Sequence, residues 1–274
     1  MRRIALIAAA LAVLSGCGGE AKTKATQPER TAETDWRPSA QRACGQLTDP
    51  LVARAWFMDL REMRRRLPTT VRDVRKAVAE TGRLPGRPDQ RFVADMGALD
   101  PPLAALKRAG RAMKVARLDR AITRLEWKLK VAGRSARRAG LRDCVTRKQV
   151  RRIVNSLRAP VAAEQVRALV VRNNKRQKAT DGDAALGAEL WADQVAAIRK
   201  VKVPAWAKRE RAAWRAAAQH YARGIDELAD RNAAGLYTPD AQYDALIKDR
   251  LRHANRKLRK LYDAMGAHPT GRRD

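Results

Sequence analysis

From Ser39 to Met265 the apolar residues recur three and four apart, and no stretch alternates apolar and polar one by one. That spacing gathers apolar side chains into one stripe along an α-helix, whereas a half-buried strand needs a period of two. The expected fold is all-α: a helical bundle, or two abutting bundles, following a short N-terminal leader and linker. With 45% hydrophobic residues in 274 a core is attainable, although only 4% are aromatic, and the length allows one or two domains.

Turn and cap residues divide the pattern. Ala40, Cys44 and Leu47 mark a first helix, and Thr48-Asp49-Pro50 reads as a restart, because a cap followed by Pro opens a helix. The next stripe runs through Leu51, Ala55 and Met58 to Arg66, and Pro68-Thr69-Thr70 reads as another restart, stopped at Gly82. Leu84 to Pro88 is a turn cluster, Phe92 to Leu99 a short helix, and Asp100-Pro101-Pro102 a further start. A phase change near Leu118 precedes a narrow seam of Leu118, Ile122, Leu125, Leu129, Ala132 and Ala136, suited to bundle packing. Thr146 and Gln149 form a capping box, and Ala159-Pro160 reads as a restart. Residues 178–183 form a loop. Three stripes follow: Leu186 to Val201, Trp206 to Leu228, and, after Thr238-Pro239, Tyr243 to Met265. The halves share a layout, each with a Pro-initiated helix and a long basic final helix. Duplication and the convergent look of helical bundles both account for it.

Arg2 and Arg3, an apolar run from Ile4 to Leu14 and the ending Leu14-Ser15-Gly16-Cys17 make a secretory signal. The run falls well short of the roughly 20 residues a spanning helix needs. Leu-Ser-Gly-Cys resembles the lipobox of bacterial lipoproteins. The resemblance implies that residues 1–16 are removed and that Cys17 carries a lipid at the extracytoplasmic face of the cell membrane. Residues 17–38 then read as a disordered, lipid-anchored tether spanning on the order of 25 Å. Trp36 near its end is placed to anchor at the membrane interface or to pack on the domain's edge. With Cys17 lipidated, Cys44 and Cys144 remain, and an even remainder in an exported protein reads as a disulfide. The resulting organisation is 39–145 as a disulfide-clamped helical unit, 146–266 as a second helical unit and 267–274 as a basic tail. The stretch around Cys44, with Ala139 to Cys144, resembles uncharacterised helical lipoproteins of high-GC actinobacteria, a likeness that carries no known activity.

Catalytic motifs are not found. Ser39, Ser135 and Ser156 sit in ordinary helical or capping contexts. His220 and His253 lie on different helices without the spacings of a di-iron or zinc bundle site, and His268 belongs to the tail. Asp226, Glu227 and Asp230 neighbour Arg223 and Arg231, as helix-surface ion pairs do. Asp181-Gly182-Asp183 lacks the other ligands of a calcium loop, and no Gly-rich phosphate loop occurs. No catalytic residue, metal site or cofactor is assigned, and a non-enzymatic role is expected.

Charge is the feature above background. The formal net charge is +30, and Lys107 to Arg158 holds 18 basic residues against Asp119, Glu126 and Asp143. Arg outnumbers Lys 43 to 16, a bias that GC-rich coding also produces, so drift accounts for part of it. At about 100° per residue, Arg117, Arg120, Arg124, Lys128 and Arg138 fall opposite the apolar seam, with Trp127 among them. Two readings stand: a basic face for anionic lipid headgroups or acidic envelope polymers, or a solvated face with Trp127 covered by another helix. The functional expectation is an envelope interaction or scaffold protein. The alternative is a binding module for an anionic ligand, polymer or extracellular nucleic acid, the last without a supporting motif. The protein partner is not specified.

Overall fold

The computed structural model describes residues 35–53, 57, 59–179, 184–236 and 238–266. The expectations for the signal peptide, Cys17, the tether up to residue 34, Asp181-Gly182-Asp183 and the tail, with His268, lie outside these residues. The described residues form an all-α bundle with no strand among them.

Helix α1 (Arg37–Ala53) begins inside the segment expected to be linker. Trp36 is buried against Phe92, ring centroids 5.8 Å apart, so it closes the core edge. Helix α1 runs through Pro50 without the expected restart. The new start is Asp59, whose carboxylate accepts from the Glu62 amide at 2.7 Å and caps α2 (Leu60–Thr81). Helix α2 in turn runs through Pro68, again without a restart, and stops at Gly82. Asp89 caps α3 (Gln90–Gly97) through the Phe92 amide at 2.8 Å. Helix α4 (Asp100–Arg111) opens with Pro in its first turn, as that residue prefers.

The phase change near Leu118 is a chain turn. Met113 takes φ +48°, and α5 (Val115–Arg138) restarts after it. All six seam residues of α5 are buried. The Thr146–Gln149 capping box forms and opens α6 (Arg147–Lys178), which continues through Pro160 for 32 residues in place of the expected restart. Helix α7 (Ala184–Lys200) buries Leu190, Trp191, Val195 and Ile198 and leaves Leu186 exposed. A single 3₁₀ turn (Ala205–Ala207) leads into α8 (Lys208–Ala233). The last stripe is one expected helix in three pieces: α9 (Asp240–Tyr243), a π segment (Asp244–Asp249) and α10 (Arg250–Gly266).

Two cores result. Helices α1 to α5 and the first half of α6 close around one, from Trp36 to Val161. The second half of α6 joins α7, α8 and α10 around the other, from Ala162 to Met265. Cys44 of α1 and Cys144 of the α5–α6 turn are joined by a disulfide, Cα atoms 5.2 Å apart, both cysteines buried. No helix of the described residues is long and apolar enough to cross a membrane.

Candidate anion-binding surface

Helix α5 positions the surface. Its seam faces inward, and it packs on α3, α4 and α6. The Ser135 hydroxyl donates to Asp95 of α3, which fixes the helix's rotation at its C-terminal end. What remains outward is basic. Arg117, Arg120 and Arg124 are exposed, Lys128 is half-buried, and Trp127 is 58% exposed. No helix among the described residues covers Trp127. Its ring meets the Lys128 ammonium 4.7 Å from its centroid, a cation–π contact within the exposed crest.

On the α4 side of that crest, Arg117, Arg120 and Arg124 join Arg108 in lining a groove of about 340 Å³. Ala105, Ala109 and Ala121 form its floor. Small residues there let α4 and α5 approach while long guanidinium arms stand at the rim. None of these four arginines has an ion-pair partner among the described residues. Arg138, on the same outward side, donates to the Ser135 hydroxyl at 3.2 Å.

On the other side of the crest lies a second concavity that sequence reasoning did not single out. A cleft of about 400 Å³ opens between α5 and α6, lined by Lys130, Arg134 and Arg137 from one helix and Arg147, Arg151 and Arg158 from the other. The signal was present: 130, 134 and 137 share one helix face, as do 147, 151 and 158. What the sequence lacked was the knowledge that these two faces meet. The helices approach because Gly133 has no side chain; a Cβ there would collide with the Val145 carbonyl. Val145 itself is buried with φ +51°, a left-handed conformation that a β-branched residue rarely adopts.

Glu126 is the acidic residue in the cleft's lining. It accepts from Lys130 Nζ and from Arg158 Nη2, each at 2.6 Å. Burial pushes its pKa up, but the hydrogen bond from Lys130 and the charges of Arg158 and Lys130 outweigh that, holding the carboxyl below the ordinary range. It is ionised at neutral pH.

Elsewhere Glu227 of the acidic cluster on α8 lies 3.8 Å from Arg250 of the last helix. His220 is held below the usual imidazole value by burial, then by Arg250, Arg223 and His253. Among the described residues no three His, Cys, Asp or Glu side chains converge on a metal-sized point. No protein-family model, no curated protein and no solved structure matches the chain.

Proposed function

We propose that this chain is a lipid-anchored protein of the cell envelope that works without catalysis, laying the basic surface of α5 against anionic lipid headgroups or acidic envelope polymers. The observation that carries the reading is the crest of exposed Arg117, Arg120, Arg124 and Trp127 with the half-buried Lys128, whose three arginines lack carboxylate partners among the described residues. A solvated face would not need an exposed Trp, which costs hydrophobic burial and suits a membrane or polymer interface. The anchor follows from Leu14-Ser15-Gly16-Cys17 after the signal sequence. Lipid on Cys17 keeps the body near the headgroups, where Lys and Arg are drawn to anionic lipid over a range that fades within the Debye length.

The test uses the full chain as wild type and as Cys17→Ser, which should leave the membrane fraction of cells. Cys17→Ser that stays in membranes after normal processing contradicts the anchor. Binding of Cys17→Ser to anionic and neutral vesicles, and to DNA as a second polyanion, is then measured over a salt series. Affinity for anionic vesicles should fall steadily with salt. The added substitutions Arg117→Glu, Arg120→Glu, Arg124→Glu and Lys128→Glu should remove the anion-selective part. Equal binding with and without those four changes refutes the surface reading, whereas preference for DNA moves it to the nucleic-acid alternative.

A further inference from the structure

We infer that the α5–α6 cleft is a binding site for a diphosphate-class oxyanion, two linked phosphates that are either free or carried on a larger molecule. The argument starts from charge. Six basic side chains line the cleft against one carboxylate, and Glu126 is already held by Lys130 and Arg158. Arg134, Arg137, Arg147 and Arg151 have no ion-pair partner among the described residues. Like charges facing each other across a concave surface raise its potential and draw in a counter-anion. One phosphate dianion leaves half of that charge unbalanced, whereas two linked phosphates come close to matching four guanidiniums. Guanidinium forks meet phosphate oxygens two at a time, which adds geometric fit to the charge match.

The surroundings point the same way. The N-terminal end of α6 meets the cleft at Arg147, and its first turn holds no acidic residue, so the positive end of the helix dipole adds to the field. Arg158 Nε is buried without a hydrogen-bond partner, a donor lacking an acceptor at the cleft. Val145, Val150 and Val154 supply apolar lining between the arginines, so an ester group on the diphosphate would not be rejected. The walls are set before any ligand arrives. The Thr146–Gln149 capping box fixes the start of α6, and the Cys44–Cys144 disulfide ends one residue before Val145. Pre-set walls reduce the ordering cost of binding. The cleft lies on the opposite flank of α5 from the Arg108 groove, so it can fail or hold independently of the crest.

The test is calorimetric titration and thermal shift of the full chain as Cys17→Ser, with inorganic pyrophosphate, orthophosphate and citrate at constant ionic strength. Pyrophosphate should raise the melting temperature and bind more tightly than orthophosphate, whose single dianion balances only half of the four guanidiniums, with citrate as the general-polyanion control. Arg134→Gln with Arg151→Gln should weaken pyrophosphate about tenfold or more while leaving the ligand-free melting temperature near wild type, because both side chains are exposed. Glu126→Gln removes the internal competitor and should tighten binding. The four crest substitutions should leave pyrophosphate affinity unchanged, which separates this site from the surface reading. Vesicles doped with a prenyl diphosphate supply the second source. Displacement from them by free pyrophosphate assigns a headgroup, and pyrophosphate binding without vesicle binding assigns a soluble ligand. Equal affinity for orthophosphate and pyrophosphate, tighter binding of citrate than of pyrophosphate, or unchanged affinity in the Arg134→Gln, Arg151→Gln variant, overturns the inference.

Discussion

Glu126 lies at the centre of the basic region, and its two hydrogen bonds decide the local electrostatics. Arg158 is mostly buried, and without Glu126 its guanidinium would lose its carboxylate partner. We expect Glu126→Gln to lower stability by about 1–2 kcal/mol, between the values for exposed and buried pairs. The pH dependence has a definite sign. The folded-state pKa of Glu126 lies below its unfolded value, so the unfolded chain takes up the proton first as pH falls. Its contribution is therefore complete above the ordinary carboxylate range and declines as pH drops through that range towards the folded value. Melting curves of wild type and Glu126→Gln should differ most at neutral pH and converge in acid. A difference that grows in acid would contradict this account.

At the level of elements, proline is the residue that misleads. Pro50, Pro68 and Pro160 each mark an expected helix restart, yet each lies inside a helix. Proline removes one amide donor and crowds the carbonyl four residues back, a local cost that packing on both sides can override. Helix α2 buries Leu60, Met63 and Leu67 before Pro68, and Val71, Val74 and Val78 after it, all in one stripe. Breaking the helix at Pro68 would rotate half of that stripe out of the core. Pro68 is only half-buried, so Pro68→Ala should restore the missing bond with little loss of packing. Stability should rise by about 1–2 kcal/mol, less than the full helix-propensity difference because Ala also loosens the unfolded chain. Circular dichroism during thermal melting checks it, and a lower melting temperature would mean that Pro68 sets a needed bend. The π segment has a similar origin in packing. A Cβ on Gly224 would strike the Leu246 carbonyl, and Arg250 donates to the His220 carbonyl at 3.3 Å, so α8 presses on the last helix where it widens.

Across the whole body, α6 and the disulfide link parts of the chain that lie far apart in sequence. Helix α6 gives its first half to one core and its second half to the other, so both cores share a single rod. The disulfide closes a sequence separation of 100 residues and ties α1 to the turn that starts this rod. In the chain-entropy view such a closure contributes about 4–5 kcal/mol, and measured losses run to roughly 2–5 kcal/mol. Cys44→Ser with Cys144→Ser should therefore lower the denaturation midpoint substantially, and reductant should do the same to wild type but not to the variant. Two free thiols by mass spectrometry of the protein purified under oxidising conditions would refute the pairing.

Periodicity determined the all-α class, the α5 seam and the outward placement of Arg117, Arg120 and Arg124, and the Thr146–Gln149 pair determined the capping box. These features depend on residues within a few turns of one another, where helical geometry leaves little choice. The pairing of Cys44 with Cys144 was readable only by counting cysteines, and its geometry came from packing. Only the tertiary structure decided whether Pro50, Pro68 and Pro160 end helices, because the answer depends on which faces must stay buried. The tertiary structure also decided that Trp127 is uncovered and that Arg134 and Arg151 face one cleft. Those facts rest on which helix lies beside α5, a long-range relation that no local spacing encodes. It was set here by Gly133, whose missing side chain lets the Val145 turn come close enough to bring the two arginine rows together.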